Sequence, residues 1–197
     1  GKRLDTEGKP GKIKAMGLDL KRSDTPPVIQ NFLSDVLHNV LTGAGKEQVT
    51  EQILQFKHEF RERPGWEKGT PKRVNNLTKY TKEEKRLGKA NMPGHVRAGM
   101  NWNTMRRMNS DKYSLQCIDG MKIIVCKLKS NPLGWTSIGY PTDETHIPQW
   151  FKELPFDNEL MEATIVDNKV DNLLGGLDWN LAAATQTANT FNNLFEF

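Results

Sequence analysis

Apolar positions repeat with a helical period in two stretches near the start of the chain. In "SDTPPVIQNFLSDVLHNVLTGAG" the residues Val28, Ile29, Phe32, Leu33, Val36, Leu37, Val40 and Leu41 recur three and four apart and form one face. Asp24 or Thr25 is placed to accept a hydrogen bond from the first free backbone N–H groups, and Pro26 sits where a missing N–H costs nothing. Gly43 and Gly45 end the helix. A second helix is predicted from Lys46 to about Arg63, with Val49, Ile53, Phe56 and Phe60 on one face and Pro64 as its stop. The short glycine-containing link predicts an antiparallel pair.

The pattern then changes. Residues 65–94 are basic, punctuated by glycine and short of aliphatics, and are expected to be extended and solvent-facing. "HVRAGMNWNTMRRMN" predicts a helix with Val96, Met100, Met105 and Met108 inward. "YSLQCIDGMKIIVCKL" has two β-rich runs about Asp119-Gly120, the mark of a hairpin. "NPLGWTSIGYP" adds a turn and a third strand ending at Pro141. From Ile147 onward the chain reads as helical, interrupted at Pro155 and at Gly175-Gly176. At the other end, "KRLDTEGKPGKIKAMGLDLKR" is strand-like, an unpartnered hairpin arm of the kind expected where a chain is cut from something larger.

Charge divides the sequence. Residues 1–130 carry 26 Lys/Arg against 14 Asp/Glu, and residues 131–197 carry 2 against 10. The net +12 of the first part makes it the candidate polyanion-binding face, and the −8 of the second excludes it from that role. Two cysteines, Cys117 and Cys126, read as buried thiols on paired strands, in keeping with a reducing compartment. Four scattered histidines give no metal-ligand spacing.

Catalytic patterns are missing: no GxxxxGK[ST] loop, no dinucleotide fingerprint and no GxSxG elbow. His95 beside Arg97 has no partner residue that would make it a general base, so no catalytic residue and no metal site is assigned. Binding fits better. Lys14, Lys21 and Arg22 lead into the start of the first helix, whose N-terminal N–H groups suit a phosphate. The glycines of "GHVRAG" let a backbone approach a phosphate strand. Trp66, Tyr80 and Trp102 are open to base stacking or to core packing.

The last eight residues, "TFNNLFEF", are the greasiest short stretch of the chain. Phe191, Leu194 and Phe195 share one face of a helical turn, and Phe197 can follow them into a groove. Each such side chain gains about 1.5–3 kcal/mol when buried, which is enough for a modest tether to another protein. The small polar run "AAATQTANT" before it reads as a linker or weak helix.

Four of these motifs, in order, resemble the C-terminal end of the replicative DNA polymerases of T-even-like bacteriophages, a family B group. "KIKAMGLDLKRSDTPPVIQ" is similar to the entry into that family's thumb, at Met16, Gly17, Leu18, Ser23, Thr25, Pro26 and Gln30. "GHVRAGMNWN" resembles its His-aliphatic-Arg-Gly helix start, at His95, Arg97 and Asn103. "SNPLGWTSIGYP" resembles its Asn-Pro-x-Gly turn, at Asn131, Pro132, Gly134 and Pro141. "TFNNLFEF" resembles its clamp-binding tail.

The resemblance implies an α+β fold: a mainly helical thumb with a small antiparallel sheet and a flexible C-terminal tail. Residues 1–15 would be the end of the palm, 16–180 the thumb, and 181–197 the linker and tail. It implies duplex contacts by Lys14, Lys21, Arg22, Ser23, Thr25, His95, Arg97 and Asn103. It also implies clamp contacts by Phe191, Leu194, Phe195 and Phe197. The expected partners are primer–template duplex, the phage sliding clamp and the rest of the polymerase, in the cytoplasm of an infected bacterium and away from membranes. The full polymerase would use Mg2+ on carboxylates upstream, with no cofactor in this stretch and no activity of the fragment alone. A free-standing DNA-binding and clamp-binding accessory protein is the alternative.

Overall fold

Phe32 and Phe56 stack with ring centroids 3.9 Å apart, and this contact joins the two predicted helices. They are α1 (Pro27–Leu41) and α2 (Lys46–Glu62). Asn39 donates from Nδ2 to Gln52 Oε1 at 2.9 Å, so the pairing of positions runs in opposite directions and the helices are antiparallel, as the short link predicts. The computed structural model describes residues 24–88 and 90–175. The strand-like arm over 1–15, the linker and the tail over 181–197 lie outside the described residues.

The capping expectation is corrected. Neither Asp24 nor Thr25 caps α1 with its side chain. Asp24 instead meets Lys72 Nζ at 3.0 Å, and the Pro26 carbonyl accepts from the N–H groups of Ile29 and Gln30. Thr25 is 1% exposed, and its carbonyl accepts from Gln30 Nε2 at 2.9 Å.

Residues 65–94 are not extended throughout. A single 3-10 turn at Gly65–Glu67 leads into strand β1 (Thr70–Arg73), and helix α3 spans Leu77–Leu87. Gly69 is glycine because a Cβ there would run into Ile124 on the neighbouring strand. Lys68 is also inside, 3% exposed, donating to the Arg61 carbonyl and to Asn158 Oδ1 at 3.2 Å each. α3 escaped detection because its own sequence supplies little. Leu77 is its one buried residue, and its free Thr78 N–H is taken by Asp119, a carboxylate 41 residues away, at 3.1 Å.

The hairpin prediction is half right. The turn at Asp119-Gly120 exists, with Gly120 at φ 81°, but residues 113–118 form no strand. Strand β2 (Lys122–Lys127) pairs instead with β1 on one side and β3 (Ser137–Pro141) on the other, in an antiparallel sheet of order β1-β2-β3. Side chains take the backbone groups of 115–118 that a strand partner would have taken. Asn103 bonds the Cys117 N–H and carbonyl at 2.8 Å each, Trp102 Nε1 donates to the Leu115 carbonyl, and the Leu115 N–H donates to Glu144. Cys117 therefore sits beside the sheet, and only Cys126 is on a strand. Both thiols are free and buried. Burial, with the Asp119 charge, raises that of Cys117 to about 11.

Helix α4 (Gly94–Met108) packs on the sheet, with Asn101 Nδ2 donating to the Ser137 carbonyl at 2.9 Å. Its buried face is Val96, Ala98, Gly99, Asn101, Trp102 and Asn103. This corrects the methionine stripe: Met100 and Met105 are half-buried and Met108 is 60% exposed. Trp102 is wholly buried and meets the rings of Trp150 and Phe151 at 5.0 and 5.4 Å. Phe151 belongs to α5 (Gln149–Lys152). Beyond the predicted break at Pro155, α6 (Asn158–Met161), a π-helical stretch (Glu162–Asp167) and α7 (Asn168–Gly175) follow one another directly. Met161, Ile165, Val166, Val170, Leu173 and Leu174 are buried in the same core as α1 and α2. The fold is α+β, as the resemblance implies.

Candidate nucleic-acid interface

The first turn of α4 is where backbone donors and basic side chains meet. The Pro93 carbonyl accepts from the N–H groups of Val96 and Arg97 at 3.1 Å each. As at any helix start, the N–H groups of the leading residues have no acceptor within the helix. Gly94 has open space where a Cβ would stand, so a ligand's backbone can come close. Gly94 and His95 line a groove of about 300 Å3, together with Lys72 of β1, Lys127 of β2, and Thr164 and Lys169 from the far helix. The π-helical stretch supplies Thr164, and such stretches recur at functional sites.

The groove is basic but not uniformly so. Asp24 lines it too. Burial works to raise its carboxyl, yet the hydrogen bond and charge of Lys72, with Lys169 beyond, hold it below the usual range. Part of the Lys72 charge is thereby used within the protein. His95 is pushed below its ordinary value of 6.5 by partial burial and by the Lys72 ammonium, against a hydrogen bond with the Arg73 backbone. It is neutral at pH 7; its one N–H is spent on the Arg73 backbone, so it brings to the groove neither a charge nor a second donor.

The expected site residues fall into three groups. His95 lies in the groove. Arg97 is half-exposed and bonds Glu84 of α3 through Nη1 at 2.8 Å, so it joins two helices as well as facing outward. Asn103 and Thr25 are inside: both ends of the Asn103 amide are used on Cys117, and Thr25 is 1% exposed and does not line the groove. The Asn103 amide is engaged inside the fold, whereas the buried Thr25 Oγ1 has no hydrogen-bond partner among the described residues. Lys14, Lys21, Arg22 and Ser23, and the four tail anchors, lie outside the described residues.

The sequence did not single out Lys127 or Lys169. Lys127 stands between Lys122 and Lys129 in a β-rich run and Lys169 in the acidic third, and only the topology brings the two to the groove. On α3, Lys79, Lys82, Lys85 and Arg86 are all exposed along one helix, beside the Arg97–Glu84 link. The sequence marked these residues as basic but gave them no helix. Among the described residues no three His, Cys, Asp or Glu side chains gather to hold a metal ion, and no helix is long and apolar enough to cross a membrane.

No family model matches the chain. It is 29% identical over 138 residues to the DNA-directed DNA polymerase of Enterobacteria phage T4. The chain resembles a segment of a phage DNA polymerase. The matched stretch is 70% of this chain but 15% of the length of that polymerase, so it corresponds to a small part of the larger protein.

Proposed function

We propose that this chain is the thumb of a phage replicative DNA polymerase and that it grips the sugar–phosphate backbone of the primer–template duplex. The observation that carries this reading is the start of α4. There, open backbone donors, the neutral His95 and the lysines of the groove converge in a chain similar to a DNA polymerase. The open Gly94 and the helix N-terminus suit a phosphate, and the exposed lysines and arginine of α3 extend the positive surface beside it. Contacts of this kind position a duplex without reading its sequence.

The polymerase as a whole would perform Mg2+-dependent nucleotidyl transfer with residues outside this stretch, leaving the 197-residue chain inactive alone. The tail anchors Phe191, Leu194, Phe195 and Phe197 would tether the enzyme to the sliding clamp, where shared occupancy of one DNA makes modest affinity sufficient. Fluorescence anisotropy with two unrelated blunt duplexes tests the grip. The expected result is equal affinity for both, falling by orders of magnitude between low and high salt. Strong preference for one sequence, or affinity indifferent to salt, would refute it. Deleting residues 190–197 is expected to abolish capture by the purified clamp and leave duplex binding unchanged.

A further inference from the structure

The far end of α4 carries an aromatic feature that the duplex groove does not use. Tyr113 is 99% exposed, although a tyrosine ring gains by burial wherever a partner exists. Its position is fixed. The Asp111 carboxylate accepts from the N–H groups of Tyr113 and Ser114 at 3.0 Å each, from Ser114 Oγ at 2.6 Å and from Trp150 Nε1 at 2.9 Å. Four hydrogen bonds thus hold the backbone beneath a ring that itself touches almost nothing. Along the chain from 104 to 118 the charges are mostly positive: Arg106, Arg107 and Lys112 stand against Asp111, with Arg107 and Lys112 exposed, and the carboxylates that reach this segment, Asp111 and Glu144, are both engaged by hydrogen bonds. Met108 and Ile118, five residues to either side in sequence, are exposed as well.

We propose that Tyr113, with Lys112 and Arg107, forms a stacking platform for a single-stranded nucleic acid. A base laid on the ring gains stacking energy whatever its identity, and the adjacent cations meet the phosphates on either side. The rigid loop means that little order has to be imposed on binding. The cations favour this occupant over an apolar protein surface, which has no use for them.

The platform is separate from the groove. The fifteen residues of α4, Gly94–Met108, separate them, and at 1.5 Å per residue the two ends of the helix are about 21 Å apart. A strand leaving a duplex held at the groove crosses that distance in about six nucleotides at 3.4 Å each. The platform rests on the duplex reading only for the source of that strand.

The test uses the full chain, its Tyr113→Ala and Tyr113→Trp variants, and three labelled probes: a blunt duplex, the same duplex with a single-stranded extension of about ten nucleotides, and the free single strand. Tyr113→Ala is expected to weaken the two single-stranded probes about tenfold. Tyr113→Trp is expected to restore them, and blunt-duplex affinity to stay constant in both variants. The exposed ring supports no packing, so melting temperatures should match. Equal affinity of wild type and Tyr113→Ala for every probe would overturn the platform and leave the patch to a protein surface, with the duplex reading intact. Tyr113-dependent single-strand binding without blunt-duplex binding would uphold the platform and remove the duplex reading.

Discussion

Helices α3 and α4 are neighbours linked by one ion pair, yet different forces hold them. α4 is fixed by burial. Trp102 lies inside a ring of aromatics, Asn101 and Asn103 bond backbone groups of the segments beneath, and Gly99 lets the helix come within contact of Cys117, Val74 and Ile123. α3 buries Leu77 and depends on polar contacts: Asp119 at its start, Glu84 to Arg97 in its second half, and Gly88 in the left-handed region at its end. A helix held in this way keeps its other face free for charge, and α3 uses that freedom for four exposed cations. Rigidity and basicity are divided between two elements, and the groove lies at the base of the rigid one.

Breaking α4 should have the largest effect. Trp102→Ala removes the largest fully buried side chain and is expected to cost about 3–5 kcal/mol, measured by chemical unfolding. Gly99→Ala places a Cβ 2.9 Å from Cys117 Sγ, and about 1–3 kcal/mol of overpacking should follow. Asn103→Ala leaves the buried Cys117 N–H and carbonyl without partners, with an expected loss of about 2 kcal/mol. If this variant instead keeps full stability and loses DNA affinity, Asn103 is a contact residue after all.

Perturbing α3 should leave the core alone. Asp119→Ala removes the donated cap, so amide exchange over residues 77–87 should accelerate while exchange in α4 stays slow. Acceleration in both helices would show that they unfold as one unit. A smaller effect involves acid. His95 is neutral in the fold and has its ordinary value of 6.5 when unfolded, so the unfolded chain binds the proton more readily. Its contribution to stability is complete above about pH 6.5 and is lost as the pH falls below that. His95→Gln should flatten the slope of stability below pH 6.5, and an unchanged slope would place the histidine in a solvent-like setting.

What could be read in the sequence follows the same division. α1 and α2 advertised themselves because aliphatic residues at helical spacing are both the signal and the cause of their burial. α4 was legible as a helix, but its inward face was assigned to methionines, whereas two asparagines and a glycine occupy part of it. Those residues work through hydrogen bonds and close approach to segments far along the chain, which periodicity does not register. α3 was read as a loop because its cap comes from Asp119. The run at 113–118 looked like a strand because its composition fits one, and no local signal shows that Asn103 takes a strand partner's place. For the site, His95 and Arg97 stood out beside the glycines of "GHVRAG" and again in the resemblance; Lys127, Lys169 and Glu84 came only with the topology.

The central claim is that exposed cations around the start of α4 hold a phosphate backbone. The most direct test is the dependence of duplex affinity on salt for the wild-type chain and for a variant with Lys79, Lys82, Lys85 and Arg86 all changed to alanine. All four side chains are exposed, so the fold should persist, as circular dichroism will show. Each phosphate contact contributes about 0.9 to the slope of log affinity against log salt. The account predicts that the slope falls by about two to four in the variant, with the loss of affinity equal across unrelated sequences. A slope identical to that of the wild-type chain would contradict it.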